Sequence, residues 1–72
     1  MDRAEHLEWC KERAREYLPS EPAQAFASMI SDLRQHDELS SHSGIGLGAM
    51  SMMFPGWIDS PHEVGQFVEG FN

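Results

Sequence analysis

The apolar residues at the start of the chain, Ala4, Leu7, Cys10, Ala14, Tyr17 and Leu18, recur every three to four positions, the spacing of one face of an α-helix. Asp2 stands where an N-cap belongs, and Glu5 completes an Asp-x-x-Glu box that satisfies the first free backbone N–H groups. Pro19 closes the segment, because its ring offers no N–H and disfavours helical geometry at Leu18. The pattern predicts a helix over 3–18. On its polar face Glu8 with Lys11 and Glu12 with Arg15 are spaced to pair, contributing about 0.2–0.5 kcal/mol each.

Ser20-Glu21-Pro22 reads as a restart, with Ser20 or Glu21 as cap and Pro22 in the first turn, where a missing N–H does no harm. A second helix is predicted over 22–35, with Ala23, Phe26, Met29 or Ile30, and Leu33 on its apolar face. The pattern fades in Gln35-His36-Asp37-Glu38, and the short Pro19–Glu21 link calls for an antiparallel hairpin. From Leu39 to Ile58 the chain runs twenty residues without Lys, Arg, Asp or Glu. That is long enough to pose the question of a membrane span. Serines, glycines, His42 and Pro55 dilute the run and no basic anchors flank it, so a third helix over 42–54 is expected instead, starting near Ser41 or Ser43 and buried on most sides. Gly44 and Gly48, four apart on one face, would let another helix backbone approach, offsetting a helix penalty of about 1 kcal/mol each relative to Ala. Phe54-Pro55-Gly56 forms a turn, and Ser60-Pro61-His62-Glu63 is a capping box for a fourth helix over 61–70, with Val64, Phe67, Val68 and Phe71 on one face. No stretch alternates with the period of a strand. The expected architecture is an all-α single domain, residues 1–72, built as a small bundle of three to four short helices.

Size changes this picture. Seventy-two residues fall below the roughly 100–150 typical of a domain, and a chain this short buries only about 60% of its unfolded surface. Disulfide, structural metal or a second subunit would supplement such a core, and the single cysteine, Cys10, excludes an internal disulfide and suits a reducing cytosol. The first eighteen residues carry nine charges, so no signal peptide is expected. Twelve acids against five bases give a net charge of -7, of which residues 19–72 carry -6. Nucleic-acid binding needs cations to displace counterions from phosphates, so DNA and RNA are poor ligands. A basic or neutral protein surface is the better match.

The stretches His6-Leu7-Glu8-Trp9-Cys10-Lys11-Glu12-Arg13-Ala14, Phe26-Ala27-Ser28-Met29-Ile30-Ser31-Asp32-Leu33, Gly44-Ile45-Gly46-Leu47-Gly48 and Phe67-Val68-Glu69-Gly70-Phe71-Asn72, taken together and in order, resemble a group of small uncharacterised proteins encoded by tailed phages of actinobacteria. The likeness spans nearly the whole chain. It implies a phage context and the cytoplasm of the host cell, and it carries over no catalytic residues.

Several constellations could carry chemistry. His6 and Cys10 are four apart, as two metal ligands on a helix can be, but structural zinc needs four, and His36, His42 and His62 sit in separate segments. Cys10 as a nucleophile would need nearby positive charge, and Lys11 alone supplies little. The acids Glu8, Glu12 and Glu16 are interspersed with Lys11 and Arg15, which makes a solvated charged face. The Gly44-x-Gly46-x-Gly48 run lacks the spacing and the Lys-Ser or Lys-Thr of a phosphate loop. No catalytic, cofactor-binding or metal-binding residue is therefore expected, and the chain reads as no enzyme.

What stands out is a cluster of adaptable apolar side chains, Met50, Met52, Met53, Phe54 and Trp57, with Trp9 beside the core face of the first helix. Methionine moulds to partners and Trp is enriched at interface centres, although the same side chains could fill the core. The leading expectation is a non-enzymatic phage accessory protein that binds and modulates a host or phage protein, with Gly44, Gly48, Met52, Met53 and Trp57 as protein-interface residues. Self-association as a homodimer or higher oligomer through that surface is expected as well. The alternatives are a self-assembling structural or assembly component of the phage and a DNA-mimicking inhibitor. No membrane or nucleic-acid partner is expected.

Overall fold

In a computed structural model, which describes residues 2–40 and 43–72, the chain is all-α, with five helices and no strand among the described residues. They are α1 (Arg3–Arg15), α2 (Pro22–Leu33), α3 (Asp37–Ser40), α4 (Ser43–Ser51) and α5 (Pro61–Gly70). The N-cap side-chain bond of each predicted capping box forms. The Asp2 carboxylate accepts from the Glu5 N–H at 2.8 Å, and the Ser60 hydroxyl accepts from the Glu63 N–H at 3.2 Å. At α2, Glu21 takes the N-cap place without a side-chain bond, and Pro22 alone sets the start.

Three boundaries depart from expectation. The first helix stops at Arg15, not at residue 18, because the chain tightens ahead of Pro19: Tyr17 N–H reaches Ala14 O at 3.0 Å and Leu18 N–H reaches Arg15 O at 3.1 Å, one residue closer than an α-helical bond. The second helix stops at Leu33, and the polar stretch expected to be a fading end turns into the one-turn α3. That extra turn makes five helices where four were expected, and it carries Leu39 into the core with no exposure. The predicted 42–54 helix ends at Ser51 and gives way to turns through Phe54; its expected start at Ser41, and His42, lie outside the described residues.

One hydrophobic cluster draws on every helix: Leu7, Cys10 and Ala14 from α1, Ala25, Phe26, Met29 and Leu33 from α2, Leu39, Ile45, and Val64, Val68 and Phe71 at the end of the chain. Ala4 and Ala23, expected on apolar faces, are exposed, and Ala25 takes the buried place on α2. Each lost alanine lies in the first turn of its helix, where few neighbours pass over it.

The α1/α2 pair is antiparallel, as the short link requires, and Asp32 latches it. Its backbone carbonyl accepts from His6 Nε2 at 2.7 Å, and its carboxylate accepts from Arg13 Nε at 2.7 Å and, more weakly, from Ser28 Oγ at 3.4 Å. The Arg13 guanidinium also lies 4.7 Å from the Trp9 ring centroid. At the other end of α1, Arg15 grips Glu69 of α5 through two 2.7 Å bonds, and Lys11 Nζ reaches the Glu69 carbonyl at 3.3 Å. The guanidinium's hydrogen bonds hold the Glu69 carboxyl below the usual carboxylate range. These contacts replace the expected Glu8–Lys11 and Glu12–Arg15 pairs, since a two-pronged bond across helices outcompetes a single contact along one. Glu8 keeps only a 4.0 Å approach to Arg15.

The latch yields a test. Asp32 is 5% exposed at its side chain and Arg13 48%, so Arg13→Ala strips a buried carboxylate of its charged donor. Urea unfolding should register a loss of about 1–3 kcal/mol, with Arg13→Lys recovering only part of it because an ammonium reproduces neither the planar bond nor the stacking on Trp9.

Candidate protein-interaction surface

The polypeptide between α4 and α5 sorts its apolar side chains by a single turn. Trp57 N–H bonds back to Phe54 O at 3.2 Å, with Pro55 second and Gly56, at φ +82°, third in the turn. This is the residue order of a type II turn, whose third position requires the left-handed backbone that glycine adopts without strain. The turn carries Trp57 inward, where its ring stands edge-on to Phe26 at 5.3 Å and to Phe67 at 6.0 Å. Phe54, on the other side of it, is left in solvent at 67% exposure.

Gly48 is equally inward. A Cβ at this position would lie 2.7 Å from Phe67 Cε1, 2.8 Å from Phe67 Cζ and 3.1 Å from Phe26 Cε1. The close approach foreseen for a Gly44/Gly48 face is therefore made by the chain's own aromatic rings. Two of the five expected interface residues, Gly48 and Trp57, thus pack inward: the Phe26 and Phe67 rings close on Gly48, one of three glycines in α4, and the partly buried Trp57 stands edge-on to both rings.

The remaining residues face outward. The expectation that this helix is buried on most sides is corrected: in α4 only Ile45 and Gly48 are buried among the residues whose side chains are described, and the opposite side presents Leu47 and Met50. Met52 and Met53 follow, the latter at 82% exposure. A nine-residue helix that meets the core along one edge cannot cover its other faces. Leu47 and Met50 are three apart on the exposed side of α4, and Phe54 is exposed in the turns that follow it. Beside them runs an open groove of about 350 Å³ lined by Gly44, Leu47, Gln66, Phe67, Gly70, Phe71 and Asn72. Gly44 is half-buried there.

The electrostatics around this surface are one-sided. Residues 35–72 contain Asp37, Glu38, Asp59, Glu63 and Glu69 and no Lys or Arg. Glu69 is engaged by Arg15, whereas Asp59 and Glu63 are exposed and take part in none of the ion pairs found among the described residues. Glu63 stands one turn before Gln66 and Phe67 on the α5 face that borders the groove.

The other candidate chemistry assembles differently. His6 is buried, with its ring 5.3 Å from Trp9 and 5.2 Å from His36. No group of three or more His, Cys, Asp or Glu among the described residues is placed to hold a metal ion. Cys10 has no exposure, and burial, with the Asp32 charge behind it, pushes its thiol up to about 11. That opposes the thiolate a nucleophile needs. No described helix is long and apolar enough to cross a membrane. The outward patch is partly visible in the sequence, which singles out Met50, Met52, Met53 and Phe54 but not Leu47. No family model, curated protein or solved structure matches the chain.

Two outcomes follow. Gly48→Ala should lower stability by about 1 kcal/mol or more, the overpacking exceeding the helix-propensity gain. Gly46→Ala, which meets nothing within 4 Å, should raise the melting temperature; equal shifts at both positions would show that the rings do not constrain Gly48. For Cys10, a rise from 9.0 to about 11 lowers the thiolate fraction about 100-fold at a given pH, so iodoacetamide should label it readily only in denaturant. The folded pKa lies above the unfolded one, so this contribution is complete below pH 9 and is lost as pH climbs towards 11. A Cys10→Ala chain should lack that part of the alkaline decline.

Proposed function

We propose that the chain is a non-enzymatic phage accessory protein that binds and modulates a host or phage protein in the host cytoplasm through the outward face of α4 and the adjoining groove. The observation that carries this reading is the exposure of Leu47, Met50, Met52, Met53 and Phe54, each half or more open to solvent, beside a core that is complete without them. Large contiguous apolar patches mark interaction sites on proteins of this kind, and flexible methionines suit a surface that adapts to its partner. The raised pKa of the buried Cys10 thiol opposes a nucleophilic role for that residue. The phage context rests on the resemblance of the sequence segments quoted above.

The same patch supports a second reading, self-association as a homodimer or as an assembly component, because a domain this small gains stability from any further apolar burial. The groups left to make such a contact are Gly44, Met52 and Met53 with Leu47, Met50 and Phe54. DNA mimicry draws less support, since Asp32 and Glu69 are neutralised within the fold.

Affinity capture from host cells, followed by mass spectrometry, tests the leading reading with three chains. Wild type and Glu16→Gln should retain the same protein and Phe54→Asp should lose it, with all three melting within a few degrees of one another. Analytical ultracentrifugation separates the readings: a monomeric wild type supports the modulator, whereas a defined oligomer dispersed by Phe54→Asp replaces it with the assembly component.

A further inference from the structure

Resting on that reading, we propose that Met50, Met52 and Met53 form an oxidation-sensitive site: a hydroperoxide converts their thioethers to sulfoxides, which turns the apolar face polar and releases the partner while the fold stays intact.

The fold sorts its methionines by access. Met29, in the core cluster, has no exposure, whereas Met50, Met52 and Met53 are 62%, 50% and 82% exposed. Three oxidisable sulfurs thus stand within four consecutive residues of the proposed binding face. None of them belongs to the core or to the half-buried side chains packed against it. The hydrogen bonds that shape this stretch are made by its backbone, from Met52 N–H to Gly48 O at 3.3 Å and from Met53 N–H to Met50 O at 3.1 Å. A change at the sulfur leaves them as they are.

The chemistry balances between thioether and peroxide. The sulfur gives an electron pair to one peroxide oxygen, the O–O bond breaks, an S–O bond forms, and the other oxygen leaves as water or alcohol after proton transfer. The sulfur is oxidised by two electrons and the peroxide is reduced by two. A flexible apolar side chain becomes a polar, chiral one, and its oxygen lacks a donor wherever a partner dries it. Reversal draws two electrons from a dithiol, which becomes a disulfide as the oxygen departs in water, through methionine sulfoxide reductases, one for each epimer.

Thiols compete with thioethers for peroxide, and here the fold withdraws the thiol. Cysteine oxidation follows thiolate character and exposure; Cys10 has no exposure, and burial with the Asp32 charge pushes its thiol up to about 11. The surface sulfurs, which need no ionisation, therefore react first. With Met29 and Cys10 shielded, oxidation is registered at the binding face and not as loss of the core.

Hydrogen peroxide added to the folded full chain, followed by peptide mapping, tests the site. Met50, Met52 and Met53 should each gain one oxygen at least about tenfold faster than Met29, with Cys10 kept as a thiol, and urea should bring Met29 to the same rate. The oxidised chain should melt within a few degrees of the untreated one, elute earlier from a phenyl column under native conditions, and regain its retention after treatment with the two reductases. In affinity capture from host cells it should lose the protein that the untreated chain retains. A Met50→Leu, Met52→Leu, Met53→Leu chain should keep that protein through the same peroxide treatment, and a Met50→Gln, Met52→Gln, Met53→Gln chain, polar at the same places, should lose it without peroxide. Oxidation of Met29 as fast as the other three overturns the inference and leaves the proposed function in place. So does a sulfoxide chain that still captures the protein while Phe54→Asp does not. Capture indifferent to Phe54→Asp overturns the function and the inference together.

Discussion

The ring of Phe67 fills the space that a side chain at position 48 would need. Much of the second half of the molecule follows from that exclusion. With Gly48 as the point of contact, α4 comes within van der Waals reach of Phe67 and Phe26, and Trp57 closes the cluster from the turn side. Among the α4 residues whose side chains are described, only Ile45 and Gly48 are buried, so the helix meets the core by an edge and Leu47 and Met50 stay exposed. The aromatic cluster and the exposed methionine patch are two sides of one packing decision. A larger residue at 48 would lift α4 away and open the core, while longer side chains on the far side cost the fold nothing.

Polar contacts divide the molecule in the opposite direction. The basic residues of α1 are drawn across to Asp32 and Glu69, joining α1 to α2 and to α5. Asp32 matters more than Glu69, because it is nearly sealed from water and a buried carboxylate needs its donors, whereas the Arg15–Glu69 pair is largely solvated and contributes little to stability. The consequence reaches beyond stability. With Arg13 and Arg15 engaged in holding helices together, and Arg3 donating to the Asn72 carbonyl at 2.7 Å, the exposed acids Asp59 and Glu63 take part in no ion pair among the described residues.

Local signals with a local cause were legible in the sequence. The Asp2 and Ser60 caps, the prolines at 22 and 61, the turn at Phe54-Pro55-Gly56 and the all-α class depend on residues within a few positions of one another, where backbone geometry leaves few choices. The inward stripes of α1 and α5 were legible for the same reason, since Leu7, Cys10, Ala14, Val64 and Val68 repeat at helical spacing. The single turn of α3 escaped because a four-residue run, Asp37–Ser40, whose one apolar member is Leu39, has no periodicity to detect. Its reason for existing is Leu39, whose burial is a fact about α1 and α2 more than about its neighbours in sequence.

For α4 the sequence determined only that an uncharged, glycine-containing helix would stand there, and such a helix can serve as core or as surface. Which side faced inward was decided by tertiary structure, since Gly48 meets rings contributed by residues 26 and 67, and a pattern within α4 holds no record of them. The same holds for the partners of Lys11 and Arg15: spacing along α1 offers Glu8 and Glu12, but the fold brings both cations to Glu69. Composition and periodicity determined the class of fold, the helix starts and the acidic balance, because each is a property of neighbouring residues or of their sum. The inward path of Trp57, the outward patch from Leu47 to Phe54 and the groove beside it arose only when distant side chains competed for one interior too small to hold them all.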